Sequence, residues 1–172
     1  MRAILKSIEY FQKMIAYLSA ILMALLAIFV FYEVVARYVF RAPTIWTNEI
    51  SSYILQFIVF FTMGYLLIED GHLKVTFFLD KLKGKAKKAL RIINLFLVVP
   101  YAGILMIYGW KITVSSYERE SVSPTLLAVP LWIPQSFIFI GGGLLILGVV
   151  CAILKVITDE PIVTGEEAKL ID

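Results

Sequence analysis

The chain has almost none of the residues that enzymes most often work with. One cysteine, Cys151, stands among 172 residues, which excludes an intrachain disulfide and any CxxC metal or redox motif. There is one histidine, His72. Bis-histidine haem ligation within one chain is therefore excluded, and a His-Asp-Ser set has nowhere to form except around that residue. The chain lacks both a GxxxxGK phosphate loop and a GxGxxG after a strand. Charge is scarce as well: 17% of residues are charged, 60% are hydrophobic and the mean hydropathy is +0.88. A soluble domain carries roughly 45–50% apolar residues. These shortages point away from an enzyme and toward an integral membrane protein that needs no cofactor.

What is present arrives in four apolar blocks, each long enough for the ~20 helical residues that cross a ~30 Å hydrocarbon layer. The fold class is then an all-α integral membrane protein of four transmembrane helices. Residues 1–157 form a single membrane domain, with spans at about 14–40, 46–68, 89–114 and 131–157. Met14 to Tyr32 runs without a charge, and Phe31-Tyr32-Glu33 does not supply the small-x-small site that closes a signal peptide. The first block reads as an uncleaved span. Pro43, in the short connection Arg41-Ala-Pro-Thr, cannot continue a helix and disfavours helical geometry at Ala42, so the first two spans form an antiparallel hairpin.

In the second span Trp46, Glu49, Tyr53, Gln56 and Phe60 share one face at helical spacing. Lipid cannot satisfy a carboxylate or an amide, so this face is expected to look into protein. Residues 69–91 change character. Leu82, Ala86, Ala89 and Ile93 form one stripe and lysines cover the rest, a pattern for an amphipathic segment in the head-group layer. Lys81, Lys83, Lys85, Lys87, Lys88 and Arg91 there suit anionic lipid head groups, each worth roughly 1 kcal/mol near such a surface, and not nucleic acid. Pro100 falls inside the third span and is expected to kink it. In the fourth span Gly141, Gly148 and Ala152 share a face where another helix can approach closely. Residues 158–172 form an acidic tail without apolar periodicity, of the kind that stays unstructured.

Basic residues set the orientation. With the N-terminus cytoplasmic, 12 Lys and Arg fall on that side and 4 on the other, so both termini are expected inside. Arg41, Glu118, Arg119 and Glu120 then lie outside.

Glu33 and Glu49 are the sharpest candidates for chemistry. Two readings stand: a proton or cation site, or pairing with Arg37 and Arg41. Glu33 and Arg37 are four residues apart with the acid N-terminal, the favoured order for a helix pair. A carrier's acid belongs near the midplane, around Ala24 or Leu25, and Glu33 is ~12 Å from there by the helical rise. That distance favours a structural role. His72, at the cytoplasmic end of a span, reads as an ordinary interface residue rather than a proton-handling group.

Several features taken in order resemble one family. They are Arg-Tyr-Val-Phe at 37–40, Trp46-x-x-Glu49, Gly71-His72-Leu-Lys-Val, and Val129-Pro130-x-Trp132. Together they are similar to the small membrane subunit, DctQ-like, of tripartite ATP-independent periplasmic (TRAP) transporters. The resemblance implies a bacterial inner-membrane scaffold beside a large membrane subunit that holds the sodium and substrate sites. A periplasmic substrate-binding protein delivers an organic acid, such as a dicarboxylate or sialic acid. It further implies helix anchoring or subunit contact for Arg37, Trp46, Glu49 and His72. The residues themselves suggest the same for Glu33, Tyr53, Gln56, Gly141, Gly148 and Ala152, and topology offers Arg41, Glu118, Arg119 and Glu120 for docking the binding protein. The competing readings are a self-sufficient four-helix proton-coupled drug exchanger and a membrane anchor for a redox enzyme.

Overall fold

Hydrophobic side chains fill the interiors of all four long helices, and prolines and polar residues fall between them. The computed structural model describes residues 2–68 and 85–158, with side chains over 5–68 and 92–156. Helix α1 spans Arg2–Tyr38, α2 Trp46–Ile68, α3 Lys85–Glu118 and α4 Trp132–Thr158. All four are long and apolar enough to cross a membrane, and among the described residues there is no strand beyond one isolated bridge, Val122 to Pro130.

The helices extend past the expected spans. Helix α1 is already formed at Arg2, well before Met14, and α3 continues to Glu118, beyond Val114. Residues 69–84 of the expected interfacial segment, with His72, Lys81 and Lys83, lie outside the described residues, as does the tail at 159–172. The remainder of that segment, 85–91 with Lys85, Lys87, Lys88 and Arg91, is continuous with α3. Helix α3 also carries Pro100 in its interior, where the missing N–H leaves the carbonyl four residues back without its helical donor.

Helix α1 packs on α2, α2 on α4 and α4 on α3, while α1 touches α4 only lightly. The helices therefore stand in a row with order α1, α2, α4, α3. Burial is greatest in α4, between α2 and α3, where 44% of the apolar stretch is buried, and least in α1 at the end of the row, at 6%. The main core gathers Leu67, Leu95, Ala102, Leu145, Val149, Ala152 and Val156 from α2, α3 and α4. A smaller cluster of Leu5, Ile68 and Cys151 joins α1 to α2 and α4.

Adjacent glycines explain how α4 serves two neighbours. A Cβ built on Gly148 would fall 2.6 Å from the Gly64 carbonyl oxygen of α2, and one on Gly141 2.6 Å from Phe60 Cβ. One on Gly142 would meet the Met106 nitrogen of α3 at 3.0 Å. Such approaches need the backbone surface that only small residues expose.

The connections at one end of the row, here the hairpin end, are tightly built. Helix α3 closes with Ser121 N–H donating to Ser116 O (3.0 Å) and Glu120 N–H to Tyr117 O (3.1 Å), with Glu120 at φ 49°. This is a Schellman closure with a non-glycine residue in the left-handed position. Residues 121–131 then fold back on themselves. Ser123 N–H donates to Val129 O and Leu131 N–H to Ser121 O, each at 2.9 Å. Arg41 (φ 50°) and Ala128 (φ 45°) make the other left-handed turns at this end.

Candidate functional site: two carboxylate clamps at the hairpin end

Helix α1 ends in a turn that its own acid holds shut. The Glu33 carboxylate projects from the last turns of α1, and its Oε1 accepts from Arg37 Nε (3.2 Å) and the Arg37 terminal nitrogen (2.7 Å). Its other oxygen, Oε2, accepts from the Thr44 backbone N–H (3.2 Å) and from the Thr44 hydroxyl. Thr44 in turn shares a hydroxyl contact with Thr47 in the first turn of α2. Both oxygens of Glu33 are thus engaged, one by its own helix and one by the connection to the next. Trp46 packs against Phe29 and Tyr32 of α1 with ring centroids 6.1 Å apart in each case, and so fixes the other side of the hairpin.

Glu49 performs the equivalent task for the second connection. Its Oε1 accepts from the Tyr53 hydroxyl at 2.6 Å, one turn along α2. Its Oε2 accepts from the Thr125 hydroxyl, in the folded-back loop between α3 and α4, and Thr125 is itself 3.0 Å from Ser123 Oγ. The loop is thereby drawn across the end of α2. Below it, Gln56 Nε2 donates to the Pro134 carbonyl at 3.0 Å. This carbonyl sits in the first turn of α4. The polar face of α2 therefore meets α4 and its incoming loop within the same chain.

Of the arginines, Arg37 pairs with Glu33, whereas Glu49 is held by hydroxyls alone among its described partners. Arg41 stands exposed at its left-handed turn, and Glu118, Arg119 and Glu120 are exposed at the end of α3. Gly141 and Gly148 face α2, and Ala152 lies in the core at 3% exposure, so this face is filled by the chain's own helices.

The opposite end carries contacts that sequence reasoning missed. Gln12, 2% exposed, donates Nε2 to the Leu144 carbonyl at 3.1 Å, and its Oε1 lies 3.0 Å from where a Gly64 Cβ would be. Lys155 forms an ion pair with Glu9. A lone amide at the start of an apolar run was a usable signal for Gln12, because hydrocarbon cannot satisfy it. Thr44, Thr125 and Gly64 gave none, since nothing in their own neighbourhood marks them as tertiary partners.

Between α1 and α2 at the hairpin end lies a hollow of about 260 Å³, lined by Val30, Val34, Arg37, Asn48 and Ser51 among others. Arg37 keeps half its side chain exposed there, against 11% for Glu33. Chemically, the two carboxylates are spent on holding loops. Among the described residues there is also no group of three or more His, Cys, Asp or Glu able to hold a metal ion.

Residues 26–159 match the family model described as "Tripartite ATP-independent periplasmic transporters, DctQ component". No curated protein matches the chain.

Proposed function

The chain belongs to the DctQ component family of tripartite ATP-independent periplasmic transporters, and on that premise we propose that it is the non-catalytic scaffold of a sodium-coupled importer of an organic acid, a dicarboxylate or a sialic-acid-like molecule. In this reading a large membrane subunit holds the sodium and the solute, and this chain stands fixed beside it. One observation carries the proposal: Glu33 and Glu49 each have both oxygens engaged, one by a side chain of the same helix and the other by a threonine that closes a loop. A carrier's acid has to load and release its cargo, whereas an acid already saturated by a loop-closing contact stiffens the frame.

The distribution of Lys and Arg supports an inner-membrane location with both termini cytoplasmic. The hairpin end then faces outward, and exposed Arg41, Glu118, Arg119 and Glu120 meet the periplasmic binding protein. Lys81, Lys83, Lys85, Lys87, Lys88 and Arg91 meet anionic lipid on the other side.

Reconstitution tests the proposal. Vesicles containing this chain alone accumulate no organic acid under a sodium gradient, and uptake appears when the large subunit and binding protein are added. Glu33→Gln leaves coupled uptake largely intact, as a proton-coupled exchanger would not. Neutralising Arg41 and Arg119 together weakens docking of the binding protein without separating the membrane pair. Sodium-driven accumulation by the chain alone overturns the reading.

A further inference from the structure

The hollow between α1 and α2 is graded in chemistry along the axis of α1. At its rim is the Arg37 guanidinium, which spends two N–H groups on Glu33 Oε1 and has no other partner among the described residues. Because Glu33 holds it from one side, the guanidinium is oriented rather than free to sweep. Across from it, the first two turns of α2 contribute Asn48 and Ser51. The Ser51 hydroxyl makes no hydrogen bond among the described residues although its oxygen is shielded from solvent. Deeper in, Val30 and Val34 form an apolar wall, half-exposed at 49% and 47%. Val30 lies ~10 Å below Arg37 by the helical rise.

The level follows from the helix ends. Arg37 is in the last turn of α1, and Trp46, which opens α2 and packs on Tyr32 on the other side of the hairpin, belongs to the same end, of the kind where Trp and Tyr are enriched at membrane interfaces. The hollow thus presents the Arg37–Glu33 pair, with the free edge of the guanidinium, and the polar Thr47, Asn48 and Ser51 side chains near the helix ends, with valines toward the hydrocarbon. Its volume, about 260 Å³, is below the ~300–1,000 Å³ of pockets that enclose a drug-sized ligand. It suits one polar group whose remainder lies along the helices.

We propose that this hollow is a phospholipid site, in which Arg37 and the Asn48 and Ser51 side chains hold the phosphodiester of one glycerophospholipid while an acyl chain follows Val34 and Val30. A guanidinium matches phosphate oxygens by parallel N–H donors, and it can do so here because Glu33 occupies only part of its donor set. A free anion would find the same donors but make no use of the valine wall. The site concerns the hairpin end of the α1–α2 pair and is independent of the transporter reading.

The test uses the full-length chain, purified from membranes in mild detergent, reconstituted in nanodiscs of phosphatidylethanolamine and phosphatidylglycerol, re-extracted and examined by native mass spectrometry. Wild type and Arg41→Gln retain one phospholipid through extended washing. Arg37→Gln and Ser51→Leu, which fills the hollow without touching the Glu33 contacts, each lower the retained fraction about tenfold, the scale of a lost charge-assisted contact. Circular dichroism and gel filtration identify variants that fold, and Asn48→Ala replaces any that do not. Equal retention by wild type and the folded hollow variants overturns the proposal. So does displacement of the lipid by millimolar inorganic phosphate, which marks a free-anion site, or disulfide trapping of Asn48→Cys by a co-expressed membrane partner, which marks a protein-filled one.

Discussion

Thr125 donates its hydroxyl to the Glu49 carboxylate across 76 residues of chain, and that contact ties the loop before α4 to the start of α2. The loop otherwise holds itself by two backbone bonds between its arms and a third, Ala128 N–H to Thr125 O, across its tip. Its attachment to the bundle thus depends on few groups, and removing one is expected to free the loop without unfolding the helices. Thr125→Val and Glu49→Gln should each make the 121–131 segment several-fold more sensitive to limited proteolysis while helix content by circular dichroism stays unchanged. Equal cleavage rates would show that the clamp is dispensable.

The glycines of α4 give a second and sharper contrast. Gly148→Ala drives a methyl group onto the Gly64 backbone, whose main-chain atoms cannot swing aside. Overpacking of this kind costs about 1–3 kcal/mol. Gly143 has nothing within 4 Å of a built Cβ, and Gly143→Ala is expected to gain about 0.5–1 kcal/mol by limiting the unfolded chain. Thermal unfolding in detergent should therefore move in opposite directions for two glycine-to-alanine changes on one helix.

Hydropathy made the four spans legible, because crossing a bilayer demands a length and an apolarity that few other structures need. Pro43 marked the first hairpin for an equally local reason, and the spacing of Trp46, Glu49, Tyr53 and Gln56 marked the face of α2 that meets protein. The order of helices in the row was not legible. Gly141 and Gly142 are adjacent in sequence yet serve α2 and α3 respectively, and only knowledge of both neighbours separates their roles. The clamp partners were hidden for a related reason. Thr44 and Thr125 are ordinary loop threonines until the fold brings each to a carboxylate. Gly64 offered no periodic companion on its own helix, since its companion is Gly148.

Glu120 occupies a backbone position that its side chain does not favour. It is the left-handed residue of the Schellman closure of α3, at φ 49°, where an L-residue pays roughly 1–2 kcal/mol relative to glycine in a relaxed turn. Glu120→Gly is expected to raise the unfolding midpoint, by about 1 kcal/mol in stability, and Glu120→Gln to leave it unchanged. If the exposed carboxylate also meets the binding protein, both variants weaken docking equally. Comparing the two by thermal unfolding and by docking separates the conformational effect from the charge.

Gln12 tests the light contact between α1 and α4. Its Nε2 donates to the Leu144 carbonyl, an oxygen already inside a helix, and its Oε1 has no partner among the described residues. Interhelical side-chain bonds in membrane proteins average ~0.6 kcal/mol, and an apolar replacement of similar size also removes the unpartnered oxygen, which is costly in itself. These effects oppose one another, so Gln12→Leu should change stability by less than about 1 kcal/mol. Gln12→Ala leaves a hole at a position only 2% exposed and should cost about 2 kcal/mol or more. Unfolding of the two variants in the same detergent decides between a packing role and a hydrogen-bonding one: a large loss in Gln12→Leu would show that the amide, and not its volume, holds α1 to the rest of the bundle.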